Sequence, residues 1–232
     1  MLILLTRAQE DAERTAKRLA ALGHESLIAP VLRIVPTGDP MPAQSHDALI
    51  VTSAHAAEPL SAHPDKAIPV FSVGERTTAA LRAVGFSAIA TAAGDAVSLS
   101  RLIRDSLRLP RTLLHVTARH HKEEPAASLG AAGFTILSWE AYEAEALPDL
   151  PEVAVEALRT GKIGAVLHYS RRSADLFVRL AGKAGLQAAI RGCPHICLSA
   201  DVAVPLAAAG ADTRIAGEPH EDALLELVRS LS

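Results

Sequence analysis

Six short polar clusters carry most of the chemistry this sequence offers, and each follows a short apolar run. They are Thr6-Arg7, Thr52-Ser53, Gly74 to Thr77, Thr117 to Lys122, Ser170 to Ser173, and Ser199 to Asp201. In an open α/β sheet the carboxyl ends of the strands face loops and helix N-termini whose backbone N–H groups are unpaired, an arrangement that suits anions. Arg7, Arg76, Arg119, Lys122, Arg171 and Arg172 bring cations to the same turns. The same hydroxyls would serve equally as helix caps, and the same arginines as a solvated rim. Aromatic residues are only 3% of the chain, so Trp139 and Tyr142 stand out. Three apart in an extended segment, they are expected on opposite faces, one buried and the other facing a ligand. A tyrosine hydroxyl is neutral at pH 7 and can donate to a departing oxygen, which an ionised carboxylate cannot do. The alternative for Tyr142 is a packing residue that steadies a hinge.

The common cofactor signatures are missing. No Gly-x-Gly-x-x-Gly follows a strand and no Gly-Lys-Ser/Thr loop occurs, so neither a dinucleotide nor a nucleoside triphosphate is expected as cofactor. There is no Gly-x-Ser-x-Gly elbow. Cys193, His195 and Cys197 invite a metal reading, but a zinc site needs about four ligands and no second pair lies nearby. Cys197 and His195 are expected in a strand instead, and His120-His121 lacks acidic ligands, so no metal is expected. With 23 basic and 26 acidic residues the formal charge is −3, and no global positive field exists to hold a nucleic-acid backbone. No apolar run approaches the ~20 residues that cross a bilayer, and Met1 to Leu5 is too short for a signal peptide, so a cytoplasmic, membrane-free protein is expected.

Apolar runs and helical stripes alternate along the chain, which predicts an α/β fold with parallel sheets flanked by helices. Strands are expected at Leu2–Leu5, Ala48–Val51, Val70–Val73, Leu113–Val116, Ala165–Tyr169 and His195–Leu198. Ala12, Ala16, Leu19 and Leu22 form one helical stripe, stopped by Gly23. Leu99, Leu102, Ile103 and Leu107 form a second, and Leu224, Leu227, Val228 and Leu231 a third.

These elements occur twice in rotated order. Ala48 to Ser53 returns as Ala165 to Ser170, and Phe71 to Gly74 with its helix returns as Cys197 to Ser199 with its helix. The opening Leu4-Leu5-Thr6-Arg7 returns as His115-Val116-Thr117-Ala118, but after its companions instead of before them. Such a rotation predicts two similar domains: a discontinuous one of residues 1–35 plus 147–232, and an inserted one of residues 38–137. Extended connectors at about 26–42 and 136–148 are expected to pair as two β-strands, and a cleft between the domains is expected to hold the ligand.

Taken in order, Leu5-Thr6-Arg7, Val51-Thr52-Ser53, Val73-Gly74-Glu75-Arg76-Thr77-Thr78-Ala79-Ala80-Leu81, Tyr142 and Glu218-Pro219-His220 resemble the uroporphyrinogen-III synthase family over essentially the whole chain. The resemblance implies two α/β domains joined by a β-ladder and no cofactor. It also implies the reaction: hydroxymethylbilane loses water, closes to a macrocycle and has its ring D inverted, as a step of haem biosynthesis. Carried over by position, Thr77 matches a family threonine, and Tyr142 matches the tyrosine thought to assist departure of the hydroxyl. Arg7, Thr52, Ser53, Gly74, Thr77, Arg119, Ser170, Arg171 and Ser199 are the expected substrate-binding residues, in a monomeric enzyme with Tyr142 as its catalytic residue. The second copy departs from the family pattern, with Ser199-Ala200-Asp201-Val202 where relatives usually have Gly-Pro-Thr-Thr, and Ser170-Arg171-Arg172-Ser173 where they often have Ser-Pro-Ser. A non-catalytic two-domain binder of a small polyanion would show the same features.

Overall fold

The computed structural model describes residues 1–231. Its strands are β1 (Leu2–Leu5), β2 (Glu25–Ile28), β3 (Leu32–Pro36), β4 (Ala48–Val51), β5 (Val70–Val73), β6 (Ile89–Ala92), β7 (Thr112–Ala118), β8 (Thr135–Ala146), β9 (Ile163–His168), β10 (His195–Cys197) and β11 (Thr213–Ile215). The chain forms two compact units. A split unit takes Met1–Arg33 and the chain from Glu145 on, and an inserted unit takes Ile34–Ala144.

The split unit holds a sheet in the order β11-β10-β9-β1-β2, every neighbouring pair parallel. The inserted unit holds the order β3-β8-β7-β4-β5-β6, parallel from β8 through β6. Read from the β11 and β6 edges, the two sheets have the same five-strand order, with β9 matching β4, β10 matching β5 and β1 matching β7. The rotated repeat of the sequence is thus a repeat of topology. β4 reads ALIV and β1 reads LILL, unbroken apolar runs with almost every side chain buried, as strands covered on both faces require.

Helices cover the faces. Helix Gln9–Ala21 buries Ala12, Thr15 and Leu19, and helix Glu221–Arg229 buries Leu224, Leu225 and Val228 on the same cluster as Ile3, Leu5 and Leu167. In the inserted unit, helix Ala96–Ser106 buries Leu99 and Ile103 against Ile50, Phe71 and Leu113. Leu107 packs there too, although the helix stops at Ser106.

Register refines the repeat by one residue. Leu5 lies opposite Leu167, and His115 lies opposite Ile50, the counterpart of Leu167. His115 therefore corresponds to Leu5, not to Leu4 as the sequence comparison suggests. A slip of one residue exchanges the two faces of a strand, and here the ladder decides it.

β3 and β8 are hydrogen-bonded neighbours, Thr37 N–H donating to Ala141 O at 3.2 Å. Both segments also complete sheets, since Glu25–Ile28 is β2 and the first part of β8 runs parallel to β7. The expectation that Trp139 and Tyr142 face opposite sides fails for a specific reason. Trp139 pairs with Val116, Glu140 with Thr117, and Tyr142 with Ala118, so a bulge at Ala141 restores Tyr142 to the face of Trp139. Both pack on the cluster of Leu49, Val51 and Val116.

Candidate functional site

In the inserted unit the carboxyl ends of β4, β5, β6 and β7, with Tyr142 from within β8, surround a cavity of about 490 Å³. Thr52 comes from β4, Val73 from β5, Gly94 to Ala96 from the turn after β6, and His115, Thr117, Ala118 and His120 to Lys122 from β7 and its loop. Glu124 and Tyr142 complete it. The sequence expectation of a polar strand edge thus becomes a bounded space here.

Tyr142 is 6% exposed. Burial pushes its hydroxyl pKa up, and the hydrogen bond it shares with the Ser53 side chain offsets only part of that rise. It is a protonated donor at neutral pH. Ser53 is also the N-cap of the short helical turn Ala54–Ala56, accepting from His55 N–H at 3.3 Å.

His115 is 1% exposed, and neither ring nitrogen has a hydrogen-bond partner. Burial, helped by the edge-on His121 ring at 6.0 Å, pushes its pKa down to about 4, so the ring is neutral. Sequence reasoning missed this residue. The available signal was a single polar side chain inside the apolar run Leu113-Leu114-His115-Val116.

Of the other expected residues, Gly74 opens helix Gly74–Ala83 with φ +73°, a conformation that glycine adopts at no steric cost. Thr77 lies inside that helix, 4% exposed and outside the cavity lining. Its neighbour Thr78 bonds Ser72 and Thr91, both at 2.7 Å, fixing the turn. Arg119 is turned to carboxylates, at 2.9 Å from Asp39, 3.0 Å from Glu143 and 3.6 Å from Glu140, and does not line the cavity.

The split unit treats the same edge differently. Arg7 lies over the Tyr169 ring at 3.9 Å and reaches Asp11 and Glu221, each at 3.3 Å. Glu221, the first residue of its helix, accepts from Thr15 at 2.7 Å, Tyr169 at 2.8 Å and Arg18 at 2.7 Å. Burial alone would raise the Glu221 pKa, but bonds from Thr15, Tyr169 and Arg18 and the charge of Arg7 outweigh it and hold it below the usual range. Ser170 caps helix Arg171–Lys183 through Ser173 N–H, and Arg171 pairs with Asp201 at 2.9 Å. Ser199 stands at the N-cap of helix Ala200–Ala208 with no side-chain capping bond, its φ of −158° extended where Gly74 is left-handed. Val202, the departure from the expected threonine, is buried.

His195 lies beside His168, with ring nitrogens 3.0 Å apart, and its other nitrogen meets Ile190 O at 2.9 Å. That bond makes His195 Nε2 the donor, so His168 Nε2–H donates to His195 Nδ1. Burial keeps both rings neutral. No helix is long and apolar enough to cross a membrane among the described residues.

Two α/β units of matching parallel topology, one of them with a cavity at its carboxyl strand edge, define a protein of the doubly wound class. A crystal structure of uroporphyrinogen-III synthetase from Helicobacter pylori 26695 is similar, with a TM-score of 0.68 at 18% identity over 99% of each chain. A mutant uroporphyrinogen III synthase from the extremely thermophilic bacterium Thermus thermophilus is similar at a TM-score of 0.50 and 17% identity, over 100% of this chain and 98% of that one. No curated protein sequence matches significantly. The family model described as uroporphyrinogen-III synthase HemD matches residues 13–226. The chain belongs to the uroporphyrinogen-III synthase family, cyclising lyases of tetrapyrrole biosynthesis.

Proposed function

We propose that this chain converts hydroxymethylbilane to uroporphyrinogen III as a cytoplasmic monomer, with Tyr142 as the group that assists departure of the hydroxyl. The observation that carries the reading is the family match across residues 13–226, joined to a buried tyrosine that opens onto a polar strand-edge cavity. Loss of hydroxide from the hydroxymethylpyrrole is driven largely by the electrons of the pyrrole nitrogen. The protein therefore needs a weak acid and correct positioning rather than a strong nucleophile. Tyr142 suits that task because burial keeps its proton on. Thr52, Ser53 and Gly74 of the inserted unit, and Ser170, Arg171 and Ser199 of the split unit, supply strand-edge donors for carboxylate arms, whereas Thr77, buried inside its helix and outside the cavity lining, serves the site through the helix that Gly74 opens. Arg7 and Arg119 act through the turns they brace, because their guanidinium groups are already shared with protein carboxylates.

Incubation with hydroxymethylbilane tests the proposal, since spontaneous closure gives the type I isomer and the enzyme gives type III. Tyr142→Phe keeps the ring and removes the donor. Turnover should fall by up to about 10²-fold, the low end for general-acid assistance, while the melting temperature stays nearly fixed. Full type III turnover in a stable Phe variant would sink the role of Tyr142.

A further inference from the structure

The two units solve one structural position in opposite ways. In the split unit, Glu221 is the first residue of its helix and its carboxylate is held by Thr15, Tyr169, Arg18 and Arg7. In the inserted unit the matching helix is Ala96–Ser106. Asp95 caps it through Ser98 N–H as His220 caps the other through Ala223 N–H, and buried Leu99 and Ile103 match Leu224 and Val228. Ala96 therefore stands where Glu221 stands. The ladder register matches Thr52 to Tyr169, Thr117 to Arg7 and His115 to Leu5. Tyr169, Arg7 and Glu221 of the split unit are thus matched by the smaller Thr52, Thr117 and Ala96 of the inserted unit, and the cavity of about 490 Å³ is lined by all three.

One replacement runs against economy. His115 puts an unpartnered imidazole where the repeat has a fully buried leucine, and a buried polar group without a partner costs stability. A ligand that bonds the ring offsets that cost.

We propose that this cavity is a carboxylate subsite, in which a ligand carboxylate takes the place that Glu221 fills in the split unit, with the His115 ring N–H as its buried donor. The class of ligand, a pyrrole carrying acetate or propionate arms, rests on the functional reading above. Thr52 and Thr117 add hydroxyls, and Lys122 and His121 line the same space. Asp95 and Glu124 also line it, so recognition depends on directed donors rather than on a net positive field. The Asp95 carboxylate is engaged by its own helix, accepting from Ser98 N–H at 2.7 Å.

The test uses the whole chain and, as probe, a monopyrrole bearing one acetate and one propionate arm. The ¹⁵N signals of the His115 ring should move on titration and saturate with the binding curve. His115→Leu, which installs the residue of the repeat, should weaken binding about tenfold or more while the melting temperature rises. Ala96→Glu, which installs the counterpart of Glu221, should block the probe in a protein that still folds. With hydroxymethylbilane, His115→Leu should raise KM far more than it lowers kcat. Failure of the probe to bind, His115 signals unmoved at saturation, or wild-type affinity in folded His115→Leu and Ala96→Glu would each overturn the subsite. Type III activity of the unaltered chain reports separately on the functional reading. Activity with a wild-type KM in His115→Leu removes only the subsite, while saturable His115 shifts without type III product remove only the reaction.

Discussion

The carboxyl edges of the two sheets started from the same plan and differ in what fills them. In the split unit the space beside β1 and β9 is packed by a guanidinium stacked on a tyrosine ring and a carboxylate with four donors. In the inserted unit threonine, threonine and alanine replace tyrosine, arginine and glutamate, and a histidine replaces leucine beneath them. The first edge pairs the carboxylate of Glu221 fully and both terminal nitrogens of Arg7, leaving only the Arg7 Nε of that cluster without a partner among the described residues. The second leaves polar groups unsatisfied, which is where a fold departs from local consistency when a site needs it. Binding capacity in a duplicated scaffold follows from which copy leaves its edge unfilled, and strand order alone does not reveal it.

Leu5→His would break this comparison most sharply. Leu5 is fully buried in the cluster of Ile3, Leu167 and Leu224. A histidine there has no cavity to face and loses the packing of the leucine, so a cost of about 3 kcal/mol or more is expected in urea unfolding. His115→Leu should have the opposite sign. A Leu5→His protein as stable as the parent would mean that both edges tolerate an imidazole, and His115 would no longer mark a site.

Much of the scaffold was legible in the sequence. β4 and β5 match the expected Ala48–Val51 and Val70–Val73, because short apolar runs, unbroken in β4 and interrupted only by Ser72 in β5, ahead of polar turns leave little else to form. The rotated repeat was legible because topology follows element order. What escaped was side-chain commitment. The sequence presents Arg7 and Arg119 as strand-edge cations, but only the fold brings Glu221, some 200 residues away, to Arg7, or Asp39 to Arg119. The bulge at Ala141 carries no glycine or proline signal, so the faces of Trp139 and Tyr142 could not be read by alternation. Gly74 and Ser53 were legible as turn and cap, while Thr77 was found by resemblance and its burial inside a helix was not foreseen.

Acid titration sharpens the comparison at somewhat smaller amplitude. Unfolded histidines bind protons near pH 6.5, whereas folded His115 does so only at about 4. Between those values the unfolded state holds more protons, so stability falls as pH falls from about 6.5 to 4, by roughly 3 kcal/mol at most for this ring. His168 and His195 in the split unit act in the same direction. His115→Leu should therefore flatten the slope of unfolding free energy against pH by about one proton, and a carboxylate ligand should flatten it too, by stabilising the imidazolium. An unchanged slope in the variant would show that the His115 ring is not held neutral by burial.

The smallest effect expected is in Arg171→Ala, and its smallness makes it informative. Arg171 pairs with Asp201 at 2.9 Å, but the two side chains are 58% and 65% exposed. Exposed pairs of this kind contribute less than about 1 kcal/mol, so the melting temperature should barely move. Arg7 offers no such clean reading, because removing it dismantles the stack on Tyr169 and uncovers Glu221. Any change of KM in Arg171→Ala is therefore free of a folding contribution. If the guanidinium leaves Asp201 to take a substrate carboxylate, KM should rise a few-fold at low salt, and the difference from the parent should shrink as salt screens an exposed contact. If Arg171 belongs to the solvated rim, KM stays at the parental value at every ionic strength. The split unit would then meet its ligand through backbone donors such as those at Ser199, with its arginines spent on holding its own edge closed.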